Sequence, residues 1–107
     1  MKIFNIETMT GGWFIGNFSP SIFKTKNFEI GIHEYKKGYV SPDKGHYHKI
    51  ATEINYISYG KIQIDQKILS KGDIFMYEPY EKSYVTFLED TQLFIIKTPS
   101  VPGDKYI

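Results

Sequence analysis

The chain reads as an all-β domain. Apolar and aromatic residues alternate with period two over several short windows, and Gly, Pro, Asn and Asp turn signals separate those windows at regular intervals. No stretch carries the 3.6-residue apolar period of an amphipathic helix. Short strands at this spacing fold as a sandwich or barrel. An antiparallel jelly-roll barrel hides its strand edges by rolling the sheet around an interior that can hold a ligand.

In order, Lys2 to Ile6 reads as a short strand, broken at Gly11-Gly12, and Trp13 to Phe18 as a second, with Pro20 marking a turn. Phe28 to Tyr35 places Phe28, Ile30 and Ile32 on one face and His33 on the other. That leaves two readings: His33 stands outside in water or at an interface, or the apolar trio forms the outer face of a layer. Lys36-Lys37-Gly38 ends this strand, and Ser41-Pro42-Asp43-Lys44-Gly45 is a loop. Ile54 to Tyr59 is β-branched and aromatic, and Gly60 turns it into the alternating Lys61 to Asp65. Gln66-Lys67 is expected in a hairpin to Ile68-Leu69, and Gly72-Asp73 turns into Ile74 to Tyr77. Tyr84 to Leu88 and Gln92 to Lys97 are expected to pair around Glu89-Asp90-Thr91. Pro99 and Pro102 make the remainder an irregular tail.

With 107 residues the chain is one domain, 1–107, large enough to bury a core without crosslinks. Cysteine is absent, which excludes a disulfide framework and a thiolate metal site. Met1 to Asn5 lacks the long apolar region of a signal peptide, and no apolar run approaches the length of a membrane helix. A cytoplasmic protein without a membrane partner is expected. A formal charge of +1 offers no electrostatic basis for nucleic-acid binding. All thirteen basic residues are lysine, so an anionic ligand must be met by lysine, backbone N–H groups or a metal.

The chemistry concentrates in His46-Tyr47-His48-Lys49-Ile50-Ala51-Thr52-Glu53. On an extended segment His46 and His48 share a side and Tyr47 points away, and four further residues allow a turn that brings Glu53 into the same space. Two imidazoles and a carboxylate suit Zn, Fe, Mn or Ni, with positions left open for water or substrate.

His46, His48, Glu53 and Gly60, spaced His-x-His-x4-Glu-x6-Gly, resemble the first motif of the cupin superfamily, with Gly38 as the preceding family glycine. Gly72 to Pro79 resembles the start of the second cupin motif. The sequence then departs from it: Tyr80 stands at the glycine, and Ser83 or Tyr84 at the fourth ligand, a histidine. The likeness spans about residues 28–98, and the tail from Lys97 to Tyr106 resembles small stand-alone cupins found beside sugar-nucleotide and polysaccharide genes. It implies a cupin jelly-roll barrel, a divalent transition metal on His46, His48 and Glu53, a sugar-like small-molecule ligand and a homodimer.

The expected function is a metal-dependent isomerase or epimerase acting on a sugar or nucleotide-sugar, with His46, His48 and Tyr84 catalytic. One alternative is a metal-free ketoisomerase using His46 or His48 as acid and base. The other is a non-catalytic ligand- or metal-binding cupin. Glu81 is near enough in sequence to replace the missing ligand, although a solvated turn is its simpler place. Tyr56, Tyr77 and Tyr80 are expected in the core or rim.

Overall fold

The computed structural model describes residues 1–41 and 45–107. Pro42, Asp43 and Lys44, within the loop expected ahead of the histidines, lie outside the described residues. Among the described residues, nine strands follow a 3-10 turn at Ile6–Thr8: β1 Trp13–Gly16, β2 Phe23–Lys24, β3 Glu29–Tyr35, β4 Thr52–Tyr59, β5 Lys61–Ile64, β6 Lys67–Ser70, β7 Ile74–Tyr77, β8 Val85–Phe87 and β9 Thr91–Thr98. They form a six-stranded sheet ordered β2-β1-β3-β9-β4-β7 and a three-stranded sheet ordered β6-β5-β8. The two face each other in a jelly-roll arrangement.

Three elements differ from the sequence reading. Lys2 to Ile6 forms no strand; Asn5 instead caps the 3-10 turn, its side chain accepting the Glu7 N–H at 2.8 Å. The β5–β6 hairpin turns one residue earlier than Gln66-Lys67, because Asp65 adopts a left-handed φ of 55° and Lys67 already pairs with Ile64. β8 and β9 do not pair: β8 joins β5, whereas β9 lies between β3 and β4. The turn at Glu89-Asp90 therefore carries the chain from one sheet to the other, a long-range choice that local alternation does not encode.

Register sorts the large sheet into two unlike faces. Inward, Glu29, Lys97, Glu53 and Tyr77 form one rung, and Gly31, Ile95, Asn55 and Phe75 the next. A third rung holds His33, Leu93 and Ile57. The inside is thus polar at one end and apolar at the other. Its apolar end joins Ile62 and Phe87 of the small sheet in the core, where Tyr35 stacks on Phe87 at a centroid distance of 4.3 Å. Outward, Ile30, Ile96, Ile54 and Met76 form one rank and Ile32, Phe94, Tyr56 and Ile74 a second. The Phe28/Ile30/Ile32 side is therefore the outer one, and His33 faces the interior.

Gly60 links β4 to β5 with φ +105°, and a Cβ there would collide with the side chain and backbone of Thr91. Both constraints require glycine at this motif position. Gly60→Ala is expected to destabilise the fold by about 2–4 kcal/mol in urea unfolding. An unchanged midpoint would contradict this close approach.

Candidate functional site

The polar end of the interior is a cavity of about 300 Å³. Its walls include Trp13, His33, Tyr35, His46, His48 and Glu53, together with Asn55, Phe75, Tyr77 and Lys97.

His46 and His48 sit on a loop segment, and the expected strand there is reduced to one bridge. Tyr47 exchanges backbone hydrogen bonds of 2.9 Å in both directions with Tyr106. Its ring stacks against Tyr80 and Tyr106, away from the cavity, so the expected alternation holds. The tail supplies most of the order. Asp104 Oδ1 accepts the Lys49 N–H at 2.9 Å, and Oδ2 accepts those of Ile50 at 3.1 Å and Ala51 at 2.9 Å. The Asp104 backbone carbonyl accepts a hydrogen bond from His48 Nδ1–H. With Nδ1–H committed to that carbonyl, Nε2 faces Glu53, to which it donates while the ring is protonated and beside which it offers a lone pair when neutral. Gly45, with φ +103°, lies close to the Ser83 carbonyl, which a Cβ would approach to 2.8 Å.

Glu53 enters from β4. Its Oε1 lies 3.0 Å from His48 Nε2, and its Oε2 accepts a hydrogen bond from Asn55 Nδ2 at 3.0 Å. Burial opposes the charge on Glu53, but the hydrogen bonds from His48 and Asn55 bring its pKa below the usual carboxylate value. The same bond to Glu53 raises the pKa of His48 against the effect of its burial. His48 is 4% exposed, so this pair is shielded from water.

The donor atoms of His46, His48 and Glu53 all lie within 4.8 Å of one another. Metal–ligand bonds of ~2.1 Å place neighbouring donors ~3.0–3.4 Å apart in octahedral or tetrahedral geometry. The His48–Glu53 separation of 3.0 Å already meets this, and closing the widest donor separation, at most 4.8 Å, takes an inward movement of His46 of no more than about 1.5–2 Å. The three residues fit a divalent transition ion, which on binding would displace the proton shared between His48 and Glu53.

Other predicted residues are placed differently. Ser83 lines the cavity at the missing histidine's region, but its hydroxyl is hydrogen-bonded to Tyr77 OH. Tyr84 stands at the mouth, 47% exposed. Glu81 also reaches the mouth while accepting the Glu78 N–H at 2.9 Å, as on a solvated turn. Tyr56 lies on the outer face and Tyr80 stacks on Tyr47, whereas Tyr77 lines the cavity.

Sequence reasoning favoured an exposed or interface His33, which the structure corrects by placing it in the cavity wall, and it missed Tyr35, Lys97 and Asp104. The parity of Glu29, Gly31, His33 and Tyr35 was the available signal for His33 and Tyr35, and it was masked by an apolar outer face. His33 packs edge-on against Trp13, with ring centroids 5.1 Å apart, and its Nδ1 lies 3.2 Å from Tyr35 OH. Burial holds His33 below its ordinary pKa and pushes Tyr35 up to about 12. Tyr77 is likewise raised, chiefly by burial.

No protein-family model matches the chain, and no curated protein matches it. Solved structures do. The uncharacterised double-stranded β-helix protein of Klebsiella pneumoniae aligns over 95% of this chain and 88% of its own, at TM-score 0.67 and 15% identity. KdgF from Halomonas aligns over 73% and 74%, at 0.63 and 20%. An RmlC-like cupin of Shewanella frigidimarina aligns over 73% and 71%, at 0.58 and 19%. The fold is a cupin fold. It places the His-His-Glu group inside the barrel, on the wall formed by β4 and the loop before it.

Asp104→Ala should cost roughly 3 kcal/mol in denaturant unfolding, because three loop N–H groups lose a charged acceptor. Asp104→Asn, which keeps one acceptor oxygen, should cost less. A neutral result for Asp104→Ala would show that the tail does not hold the loop.

His33 gives a pH dependence of definite sign. Its folded pKa lies below the ~6.5 of the unfolded chain, so the unfolded state binds more protons as pH falls past that value. The His33 contribution to stability should therefore be lost below about pH 6.5. His48, with its raised pKa, acts in the opposite sense. The His33 part is thus read as the difference between wild type and His33→Gln, which should be the more acid-resistant. A His33 imidazole titrating above 6.5 by NMR in the metal-free protein would reverse the sign.

Proposed function

We propose that this chain is a metal-dependent enzyme that isomerises or epimerises a sugar-like molecule, with His46, His48 and Glu53 holding a divalent transition ion. The observation that carries the reading is the convergence of these donors on one wall of a cavity of about 300 Å³. This volume lies at the small end of ligand sites and suits a single sugar unit. A nucleotide attached to it would have to extend past Tyr84 at the mouth. Among solved neighbours are proteins named as a DMSP lyase and as a nucleoside dehydratase, which supports small-molecule chemistry in a barrel of this kind.

When bound, the ion would supply Lewis-acid polarisation of a carbonyl or vicinal hydroxyl. The rest falls to the chain. His48 presents Nε2 because the Asp104 carbonyl holds its Nδ1–H. Buried and neutral at pH 7, His33 is placed to accept and return a substrate proton. The Tyr77 phenol stays protonated and donates a hydrogen bond towards developing negative charge. Tyr84 contacts the part of the substrate nearest the mouth.

The His48–Glu53 pair also favours a second reading, in which a carboxylate-held imidazole acts as acid and base without metal. Metal analysis of protein purified without a nickel column separates the two. The metal reading predicts about one ion per chain, reduced at least tenfold by His48→Ala. Absence of binding at micromolar metal would leave the metal-free reading. Solvent deuterium should enter a keto-sugar substrate in either case, and no exchange across a broad panel would leave a binding protein.

We further propose a homodimer working in the cytoplasm; the cellular location rests on the sequence alone. The dimer is supported by the outer face of the large sheet, with Ile74 67% exposed, Met76 51% and Tyr56 39%. Glu34, Gln92 and Ser58 lie at one end of the apolar ranks. Ile6 shares a groove with Ile32 and Gln92, so the exposed Ile3, Phe4 and Ile6 extend this face. Four strands ~4.8 Å apart and three residue ranks give about 400 Å² of sheet per copy. With the N-terminal arm, two faces approach the ~1,000 Å² of a stable pair. Ile54→Lys should turn the dimer into a monomer by light scattering. A wild type that is monomeric at about 100 µM would exclude the pairing.

A further inference from the structure

Among the described residues, Lys97 is the one lysine carried into the interior rungs of the large sheet. It stands on β9 directly between Glu29 of β3 and Glu53 of β4, and it lines the cavity beside the imidazoles. Its side chain is 15% exposed, and that of Glu29 8%. Nζ lies 3.0 Å from Glu29 Oε1 and 5.0 Å from the centroid of the Trp13 ring. Glu29 is fixed in turn: its Oε2 accepts a hydrogen bond from the Ser100 hydroxyl at 3.3 Å, and Ser100 Oγ accepts the Asn17 N–H at 2.9 Å. The ammonium is therefore held against one wall, and a buried ion pair is costly unless its geometry is fixed in this way.

Resting on the metal reading, we propose that the ligand is a hydroxy acid of sugar-acid type, and that Lys97 receives its carboxylate while the His-His-Glu side meets its hydroxyl or carbonyl oxygens. Charge balance gives the reason. Glu29 cancels Lys97, and Glu53 cancels half of a divalent ion, which leaves one positive charge in a place shielded from water. Among the described residues, the charged groups at the mouth are Glu81 and Lys105, both exposed and opposite in sign. A monoanionic ligand restores neutrality; a neutral polyol does not. An ammonium carries three N–H donors, so Lys97 can keep Glu29 while accepting a second carboxylate. Since the chain contains no arginine, a charged side chain that meets a carboxylate deep in the cavity is a lysine, and Lys97 stands at that depth while Lys105 stands at the mouth. Trp13, Tyr35 and Phe75 line the same cavity and would cover the carbon skeleton.

The test uses two matched pairs, gluconate against glucitol and glycerate against glycerol, titrated calorimetrically into zinc-loaded protein. Within each pair the members differ by a carboxylate in place of a hydroxymethyl group. A metal by itself favours the acid, so the decisive quantity is the change in the acid-to-polyol affinity ratio when Lys97 is removed. Glu29→Gln/Lys97→Met removes the clamp without stranding a buried carboxylate, and its zinc content should equal that of the wild type. The ratio should fall by roughly tenfold or more in this variant. In the wild type, the Lys97 side-chain NMR resonances should move with the acid and stay in place with the polyol; this readout stands even if the variant does not fold. An unchanged ratio in a folded variant, Lys97 resonances indifferent to the acid, or no acid binding below about 10 mM would overturn the proposal. If the wild type takes up no zinc, the metal reading fails separately, and the same titrations on metal-free protein still decide the role of Lys97.

Discussion

The site depends on the grip of Asp104 on the loop that carries the histidines. A loop segment with a single ladder bridge has little to fix the direction of an imidazole. Here the Asp104 carboxylate accepts three consecutive backbone N–H groups, and its own carbonyl accepts from His48 Nδ1–H. One residue therefore sets both the path of the loop and the tautomer of a ring. The Tyr47–Tyr106 bridge closes this arrangement from the other side. The tail is thus part of the site, 50 or more residues from it in sequence, and the cupin motif is completed by a segment outside it.

A second constraint is the division of polarity across the large sheet. The inward rungs run from Glu29, Lys97, Glu53 and Tyr77 to Leu93 and Ile57, so one end lines the cavity and the other packs. Polar groups take up part of the inner face, and the core draws on the small sheet through Ile62 and Phe87. The two middle outward ranks are apolar, with Glu34, Gln92 and Ser58 at one end of them. This inverts the pattern of a half-solvated sheet, where the hydrophobic side marks the interior. The same inversion links the ligand site to the proposed dimer: polar residues are spent inside, and the outside is left to a second copy.

Much of this was legible in the sequence. The His46, His48 and Glu53 convergence follows from the parity of an extended segment plus a turn of sufficient length, and the structure brings the three together. Most strand positions also followed, because β-branched runs and glycine turns are local signals; Ile74 to Tyr77 coincides with β7. What was lost is non-local. The separation of β8 from β9 depends on which sheet each edge joins, and no alternation of side chains records that. His33 was ambiguous because the hydrophobic side of β3 faces outward. Lys97 and Asp104 looked like ordinary charged residues in a strand end and a tail. Their partners, Glu29 and the 49–51 backbone, lie far away in sequence.

The most direct test of the central claim is an anomalous difference map from a crystal grown with cobalt or zinc. The account predicts a single strong peak bounded by His46, by His48 Nε2 and by Glu53, with His48 Nδ1 still bonded to the Asp104 carbonyl. A map with no peak there, or with the ion on the outer surface and His48 turned away from Asp104, would contradict it.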